Sequence, residues 1–483
     1  MINYRIIARV YSQVLLLESL LMLLAGFVSF IYNEKAASSF LYSSVITLIT
    51  GILVFTPLRK TEKAYGTREG YIIITGIWLI FSAFSTLPFL LSGTSESFTD
   101  AFFESMSGFT TTNATVFTDV ESLPRGILFW RSLMQWTGGL FVILLSMYIL
   151  PVVRNLNIQL PISDYSGREV TERIYPRLMG ASKVLFLIYS GLTLAETLLL
   201  WAGKIPLFDA ICHSFSTIST GGFSTLNDGI SGFNSPYVTM IITFFMFAAG
   251  INLALLFFIY RREPEKAVEN HEFLFYVIIT LFFSAVVTIA LRLGSAVPRE
   301  GALINAIFHV ISIITTTGFY IDDYSVWGSF LVVIIFILMF AGGMSGSASG
   351  GIKMIRLLIV GRTNRKEIKR LLHPSAYLPV HVDKRTVPQN ILLNLMIFVT
   401  LYLITVCAGA LAISLMDYDF ITSFSTSASI LGNIGPGIGT FGPFSDFAEL
   451  PVAGKWFLSG LMLLGRLDLL AVMVIFSGPF HKR

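Results

Sequence analysis

The sequence feature that most constrains the fold is a short polar stretch that occurs four times. In its clearest copy, Thr315-Thr316-Thr317-Gly318-Phe319 ends an apolar run that is too short to cross a lipid bilayer. Aligned on Gly318, the other copies are Thr110-Thr111-Thr112-Asn113-Ala114, Ser219-Thr220-Gly221-Gly222-Phe223 and, more loosely, Gly432-Asn433-Ile434-Gly435-Pro436. Thirteen residues before the aligned position stand Asp100, Asp209, Asn305 and Thr422. A period of about a hundred residues is too long for a solenoid unit, so it predicts four related subdomains.

The composition is that of a polytopic membrane protein. Of the 483 residues, 54% are hydrophobic and 13% are charged, and the mean hydropathy is +0.75, which excludes an ordinary soluble protein. The two cysteines, Cys212 and Cys407, exclude a disulfide framework and a multi-cysteine metal site. The net charge of +4 indicates no particular partner, and we expect no nucleic acid.

Ten apolar runs are long enough to cross a hydrocarbon core, which takes about 20 residues. Two of them, near 8–31 and 37–58, precede the repeats, and each repeat then consists of a span, a half-span, the polar stretch and a second span. The second spans are predicted at 125–150, 235–260, 326–360 and 454–478. The expected fold is therefore an all-α polytopic membrane protein with four pseudo-fourfold repeats and two leading transmembrane helices. The predicted units are 1–69 for the leading helices and 70–177, 178–269, 270–387 and 388–483 for the four repeats.

The distribution of charge predicts the orientation. Basic residues gather at 59–68, 154–177, 261–266 and 353–385, whereas the alternate loops are mainly acidic. By the positive-inside rule the basic loops are cytoplasmic, so both termini lie inside and every polar stretch enters from outside. The acidic loops fit either a solvated outer surface or a negative vestibule that concentrates cations. The basic segment 353–385 fits either a docking surface or a topology determinant near anionic lipid.

The four polar stretches have the chemistry of an ion pore. Non-helical backbone at membrane depth is tolerated only where protein buries it or where it lines a water-filled cavity. Four such turns on one axis can replace the hydration shell of a cation with carbonyl oxygens, and glycine permits the backbone angles that this needs. A ring without carboxylates favours a monovalent, weakly hydrated ion. Fourfold recurrence favours this interpretation over an ordinary interhelical turn.

These stretches resemble the membrane subunit of the Trk and Ktr family of bacterial potassium uptake systems. Residues 129–139, Phe-Trp-Arg-Ser-Leu-Met-Gln-Trp-Thr-Gly-Gly, also resemble the family, and the two leading spans favour its Trk branch. The resemblance implies channel-like potassium uptake across a bacterial cytoplasmic membrane, with K⁺ as the transported ion and no organic cofactor. It also implies contact with membrane lipid, a homodimer and a cytosolic nucleotide-binding regulatory ring of the TrkA type.

By the same resemblance, three residues of each stretch form the selectivity filter and bind K⁺. They are Thr111, Thr112 and Asn113; Thr220, Gly221 and Gly222; Thr316, Thr317 and Gly318; and Asn433, Ile434 and Gly435. The family has glycine at all four aligned positions, whereas Asn113 occupies the first here. Asparagine is the non-glycine residue that best enters the left-handed region. Because a non-glycine at this position accompanies sodium permeation in related plant transporters, a less selective K⁺/Na⁺ pathway is an alternative.

The second span of the third repeat is too long to be one helix. As a helix, residues 326–360 would extend about 52 Å and overshoot the bilayer. The stretch 341–351 is rich in glycine and serine, which predicts a break there. A small-residue face for close helix packing is the alternative. The resemblance places a gating loop beneath the filter here, and its predicted residues are Gly342, Gly343, Ser345, Gly346, Ser347, Ser349, Gly350 and Gly351.

Arg466, in the last span, is the second predicted gate residue. An intramembrane charge usually faces a cavity or a partner, so a structural pair with Asp468 or Glu196 is the alternative to a pore position. The resemblance places Arg466 in the pore just below the filter. Glu196 and Asn252 are expected to be buried helix contacts, and His213 and His309 packing or hydrogen-bonding residues.

Two other classes of function are alternatives to a channel. A symporter coupled to H⁺ or Na⁺ would also use broken helices, but inverted or paired repeats are expected there. A membrane enzyme would need converging nucleophiles, histidines or carboxylates, and the sequence shows no such cluster, so no enzymatic activity is expected.

Overall fold

The computed structural model describes residues 2–59, 66–154, 178–260, 263, 265–294, 301–373, 378–383, 385–467 and 469–476. Much of the basic loop sequence, at 60–65, 155–177, 261–262 and 384, therefore lies outside the described residues, as does Asp468. The regular secondary structure of the described part is helical apart from one two-stranded hairpin, in which His381–Val382 pairs antiparallel with Arg385–Thr386.

The order of elements follows the predicted repeats. Helices up to the end of the second repeat are Tyr4–Ile31, Ala36–Leu58, Thr67–Phe84, Thr86–Ser92, Phe98–Phe109, Arg125–Arg154, Leu178–Ala202, Leu207–Ile218, Pro236–Ala249 and Leu253–Tyr260. Those that follow are Glu265–Val268, His271–Leu293, Ala302–Ile314, Ser329–Leu338, Met354–Leu372, Gln389–Ser414, Phe420–Leu431, Val452–Leu467 and Leu469–Phe476. Short 3₁₀ helices lie at Gly229–Phe233 and Tyr324–Val326.

Seven helices of the described chain are long and apolar enough to cross a membrane. They comprise the two leading helices, the first span of every repeat and the second span of the first repeat, Arg125–Leu145. Four shorter helices, which we call pore helices 1 to 4, are Phe98–Phe109, Leu207–Ile218, Ala302–Ile314 and Phe420–Leu431. At 1.5 Å per residue each is about 18 Å long, so it reaches only partway across a bilayer.

The second spans of the second and third repeats are broken. The predicted continuous span 235–260 is wrong, because helix Pro236–Ala249 ends before Gly250 and a new helix, Leu253–Tyr260, begins after Asn252. The predicted break in the third repeat is confirmed, since helix Ser329–Leu338 is followed by non-helical chain up to the start of Met354–Leu372. In the fourth repeat, helices Val452–Leu467 and Leu469–Phe476 flank position 468.

The leading helices pack on the first repeat through buried polar contacts. Ser85 donates to Glu18 Oε1 at 2.6 Å, and the Tyr11 hydroxyl donates to the Ile72 carbonyl at 2.6 Å. At the other end, Glu34 Oε1 accepts from the Arg125 backbone N–H at 2.6 Å. These contacts fix the register between the leading pair and the repeat, because a buried polar group needs its partner.

The core surrounds the four pore helices, and the periphery is apolar. Most side chains of pore helices 1 and 4 are buried, and these include several serines and threonines. Large hydrophobic side chains such as Phe27, Leu53, Leu281 and Leu411 are exposed on the outer helices. An apolar exterior around a polar centre is the arrangement that a lipid environment favours.

Candidate ion pathway

The four polar stretches adopt the same alternating backbone conformation. In each, the first and third filter residues have positive φ and the residue between them does not. The φ values are 53° and 60° at Thr111 and Asn113, 54° and 83° at Thr220 and Gly222, 56° and 78° at Thr316 and Gly318, and 55° and 101° at Asn433 and Gly435. A left-handed threonine is strained by roughly 1–3 kcal/mol, and such strain clusters at functional sites. Its presence in three repeats shows that the surroundings enforce this geometry.

Each turn is tied to the end of its own pore helix by an equivalent hydrogen bond. The middle filter residue donates its N–H to a serine carbonyl five residues earlier in the sequence. The four bonds are Thr112 to Ser107 at 2.9 Å, Gly221 to Ser216 at 2.7 Å, Thr317 to Ser312 at 2.9 Å and Ile434 to Ser429 at 2.8 Å. Because each pore helix ends at its turn, its partially negative C-terminus points at the site, which favours a cation there.

The turns form a closed ring. A Cβ atom built on Gly222 would overlap the carbonyl oxygen of Thr317, one on Gly318 that of Ile434, and one on Gly435 that of Thr112. Repeat 2 therefore contacts repeat 3, repeat 3 contacts repeat 4 and repeat 4 contacts repeat 1. Glycine is required at these three positions both by the positive φ and by the close approach of the next repeat. The predicted filter residues thus come together.

A cavity of about 660 Å³, open solvent included, lies over the third filter residues. Its lining includes Asn113 and Gly222, together with Phe319 and Pro436, which follow the third filter residues of repeats 3 and 4. We call this cavity the vestibule. Asp446 lines its wall, and Asp119 lies nearby on the exposed loop, where a 2.8 Å bond from Asn227 Nδ2 holds the pKa of the carboxyl below its ordinary value. Both carboxylates favour cations near the entrance.

The glycine-rich segment forms a buried loop on the opposite side of the turns. We call residues 339–353 the intramembrane loop. Its two arms are joined by hydrogen bonds from Gly342 N to Ile352 O at 2.9 Å and from Ile352 N to Phe340 O at 3.1 Å. A Cβ on Gly342 would overlap the Gly350 carbonyl, so the small residues serve close packing within the loop as well as the break in the helix.

The intramembrane loop lies directly against the filter. Gly350 donates its N–H to Thr316 Oγ1 at 2.7 Å, and a Cβ built on Gly350 would overlap the Gly432 carbonyl at the start of the fourth turn. Gly343 and Gly346 approach the break in the second repeat, at Gly250 O and the Asn252 amide. Ser345, Ser347, Ser349 and Gly351 are buried or half-buried between these contacts. All predicted gate residues of the loop therefore lie beneath the filter turns.

Arg466 reaches the intramembrane loop. Its Nη1 atom donates to the Ala348 carbonyl at 2.6 Å, and the side chain is only 7% exposed. Its Nε and Nη2 atoms have no hydrogen-bond partner among the described residues. Arg466 and Glu196, both described, form no ion pair, while Asp468 lies outside the described residues. A buried guanidinium with two unpaired donors is electrostatically costly, and it lies beside the loop at the base of the filter.

Known proteins share this architecture over its full length. Residues 36–482 match the TrkH family, described as cation transport protein. The chain belongs to the TrkH family. The Trk system potassium uptake protein TrkH of Salmonella typhimurium is 34% identical over 483 residues, which covers 99% of this chain and 100% of that protein. The corresponding TrkH of Halomonas elongata is 33% identical over 483 residues, covering 100% of both. The crystal structure of the potassium transporter TrkH from Vibrio parahaemolyticus matches with a TM-score of 0.90 at 31% identity, covering 100% of both chains.

Membership of the TrkH family confirms three predictions. The all-α fold with four repeats after two leading helices is that of the Vibrio structure, and the predicted Trk relationship is correct. The chain is an integral membrane transport protein and not an enzyme. The roles of the filter and gate residues remain predictions.

The TrkH-family scaffold includes an ion pair that the sequence did not assign. Arg131 Nε lies 2.7 Å from Glu104 Oε1, and the two side chains are 2% and 0% exposed. Glu104 Oε2 also accepts from Val116 N at 3.0 Å, and Arg131 Nη1 donates to Ser224 O at 3.4 Å. The pair thus links the chain that leaves the first turn to the chain that leaves the second. Removing one partner of a buried pair costs about 3–5 kcal/mol because the other charge is left unpaired, so loss of either residue alone should weaken the ring.

Gln135 is a second supporting residue, four positions after Arg131 and so on the same helix face. Its Nε2 atom donates to Gly221 O at 2.7 Å, and its Oε1 atom accepts from Phe223 N at 3.1 Å. One amide therefore holds both sides of the second turn. The only sequence signal for either residue was the resemblance of 129–139 to the family.

Glu272 holds the intramembrane loop from outside it, and Asn252 packs beside the loop at Gly346. Glu272 is fully buried, and its Oε1 atom accepts from Ser345 N at 2.7 Å and Ile355 N at 3.2 Å. Asn252 Oδ1 accepts from Ala254 N at 2.9 Å and so caps helix Leu253–Tyr260, which is more than the buried helix contact expected. The sequence does carry a signal for the break between helices Pro236–Ala249 and Leu253–Tyr260, because Gly250 and Asn252 are residue types that mark helix boundaries.

The two pore-helix histidines are hydrogen-bonded, as predicted. His213 Nδ1 and Nε2 contact Asp209 O at 2.8 Å and Ser224 Oγ at 3.0 Å. His309 makes the equivalent contacts with Asn305 O at 2.9 Å and Asp322 O at 3.1 Å. Each imidazole ties its pore helix to the chain that leaves the turn. The described residues contain no group of three or more His, Cys, Asp or Glu that could hold a metal ion.

Proposed function

We propose that this chain takes up potassium across a bacterial cytoplasmic membrane by channel-like permeation through the ring of four turns. The single observation that carries the proposal is the fourfold alternation of φ at a closed ring, with a vestibule on one side and a loop on the other. The relatives are named as Trk system potassium uptake proteins, which supports K⁺ as the transported ion.

Backbone carbonyls are the chemistry proposed for selection. The filter residues offer carbonyl and hydroxyl oxygens and no carboxylate, which favours an ion that sheds its hydration shell easily. The four helix C-termini add partial negative charge without adding a fixed one. Such a site holds a monovalent cation weakly enough to release it.

The intramembrane loop and Arg466 form the proposed gate. The loop contacts the first residues of turns 3 and 4, so it closes the side of the filter away from the vestibule. Arg466 places a positive charge at the same level and opposes the passage of a cation. Opening then requires the loop to leave its contacts with Thr316 and Arg466.

The wider assembly is part of the same proposal. The vestibule faces outside, both termini are cytoplasmic, and the units divide at the repeat boundaries 69, 177, 269 and 387. The chain forms a homodimer in the membrane and is controlled by a cytosolic nucleotide-binding ring. Helix Met354–Leu372, which directly follows the intramembrane loop and carries Lys369 and Arg370 in its last turn, is the element through which docking would move the gate.

Cation flux into proteoliposomes tests the function. The purified chain is reconstituted, and uptake of K⁺, Rb⁺, Na⁺ and Li⁺ is measured under imposed potassium and proton gradients. We expect K⁺ and Rb⁺ to enter down their electrochemical gradient, with little Na⁺ and no dependence on the proton gradient. The proposal would be contradicted if the protein showed no K⁺ flux although a cooperative thermal unfolding transition shows that it is folded.

Two other outcomes identify the alternatives. Sodium flux comparable with that of K⁺ would show a less selective alkali-cation pathway, which Asn113 at the third filter position favours. Flux that requires a proton or sodium gradient would show a coupled symporter.

A further inference from the structure

Asn113 breaks the symmetry of the filter ring. It occupies the position that is glycine in the other three repeats, and its φ of 60° shows that it keeps the left-handed turn. Its side chain does not turn back toward its own repeat. Instead, Nδ2 donates to the carbonyl oxygen of Gly318 at 2.9 Å.

The Asn113 amide reaches the opposite repeat. The ring contacts join repeat 2 to 3, 3 to 4 and 4 to 1, so repeats 1 and 3 lie across the axis from each other. A side chain of repeat 1 that bonds to Gly318 of repeat 3 must therefore extend over the central opening. A Cβ built on Gly222 would lie 2.7 Å from Asn113 Nδ2, and one on Gly318 would lie 3.0 Å from it. The amide thus lies among the third filter residues, at the floor of the vestibule.

The carbonyl of Gly221, in the second turn, accepts a hydrogen bond from a side chain of the first repeat. The glycines at the third filter positions pack against the carbonyl oxygens of Thr112, Thr317 and Ile434, and the middle filter residue of the second turn is Gly221. Gly221 O accepts the 2.7 Å bond from Gln135 Nε2. Gln135 thereby supplies this carbonyl with a hydrogen-bond partner from the first repeat.

We propose that Asn113 is a tethered lid whose amide N–H group occupies the outermost cation position of the filter. The N–H donor bonded to Gly318 O places a partial positive charge beside that oxygen, where it repels an entering cation and competes with it for the carbonyl. A cation from the vestibule must therefore displace the amide, and rotation of the side chain then offers Oδ1 as a ligand in exchange. The inference rests on the proposed filter but goes beyond it, because it states that the Asn113 amide competes with the entering cation for the outermost position.

Potassium binding to the purified full-length chain tests the lid separately from conduction. Titration calorimetry with KCl is performed on the native chain, Asn113→Gly and Asn113→Asp. Glycine suits the left-handed backbone, so the variant keeps the turn while it removes the lid. Asn234→Gly is the matched control, because Asn234 is also left-handed, at φ 46°, but is exposed at the end of the 3₁₀ helix Gly229–Phe233.

We expect Asn113→Gly to bind K⁺ about two- to tenfold more tightly than the native chain, the range that one net hydrogen bond gives. Asn234→Gly should match the native Kd. Equal Kd values for the native chain and Asn113→Gly would overturn the lid, as would tighter binding by Asn113→Asp alone, which would show a charge effect. K⁺ binding by none of the proteins would overturn both lid and filter. Tighter K⁺ binding by Asn113→Gly, together with no K⁺ flux in proteoliposomes, would support the lid and contradict only the proposed conduction of K⁺.

Discussion

The filter turns and the intramembrane loop touch each other at Gly350 and Thr316, yet they are held in different ways. Each turn is bonded to the end of its own pore helix, and the same bond recurs in all four repeats. The loop is bonded within itself, and it is held in place by groups elsewhere in the sequence, namely Gly250 O, Glu272, Thr316 and Arg466. A site supported locally keeps its geometry when its neighbours move, whereas a segment supported from several repeats is released when any one of them shifts. Under the proposed function, the turns that select the ion are therefore held rigidly, and the loop that gates the pathway is held by contacts that can be released.

The largest expected effect comes from breaking the ring. Gly318→Ala places a methyl group against the Ile434 carbonyl and should lower K⁺ flux about tenfold to hundredfold, because overpacking costs about 1–3 kcal/mol. Gly93→Ala is the matched control, since Gly93 has a similar φ of 71° but an added Cβ meets no atom within 4 Å. Rubidium uptake by the two variants measures the difference. Equal losses in both would assign the effect to backbone strain and not to the ring.

The next effect has the opposite sign. Arg466→Ala removes the donor to Ala348 and the positive charge beside the loop, so K⁺ flux should rise about tenfold, the scale of one charged hydrogen bond. Lys455→Ala is the control, because Lys455 is also buried on helix Val452–Leu467 but bonds to Asp100 at 2.6 Å. The measurement is the initial rate of Rb⁺ uptake at saturating external Rb⁺. A rate unchanged from the native chain would remove Arg466 from the gate.

Glu272→Gln tests whether the loop can be loosened without loosening the filter turns. The amide keeps an acceptor but loses the negative charge that holds Ser345 and Ile355, so the loop should loosen and basal flux rise about two- to fivefold. Hydrogen exchange at 343–355 should increase, while exchange at the filter turns should not. Glu18→Gln is the matched control, since Glu18 is equally buried but bonds to Ser85 away from the loop. Faster exchange in both regions would show that the loop and filter are one unit.

The sequence predicted the features that repeat and missed those that join distant segments. The four turns were recognisable because Thr316, Gly318 and their counterparts recur at one spacing, and the break at 341–351 because its composition opposes a helix. Gln135, Glu272 and the Arg131–Glu104 pair carry no local signal of this kind. Each acts on a partner that lies 27 or more positions away, and only the packed chain brings them together. Asn113 was identified as an exception, but its contact with Gly318 depends on the closure of the ring.

The smallest expected effect concerns the break in the second repeat. Asn252→Ala removes the cap of helix Leu253–Tyr260 and should lower the free energy of unfolding by about 1 kcal/mol. Ser235→Ala is the control, because Ser235 caps the preceding helix, Pro236–Ala249, through a 3.5 Å bond to Val238 N and lies away from the loop. Thermal unfolding and basal Rb⁺ flux are compared for the two variants. Because Asn252 also lies beside Gly346, Asn252→Ala alone should raise flux, by about twofold to threefold, on the scale of a lost cap. If both variants lose stability and neither changes flux, the break supports the fold without supporting the loop, and the gate depends on Arg466 and Glu272 alone.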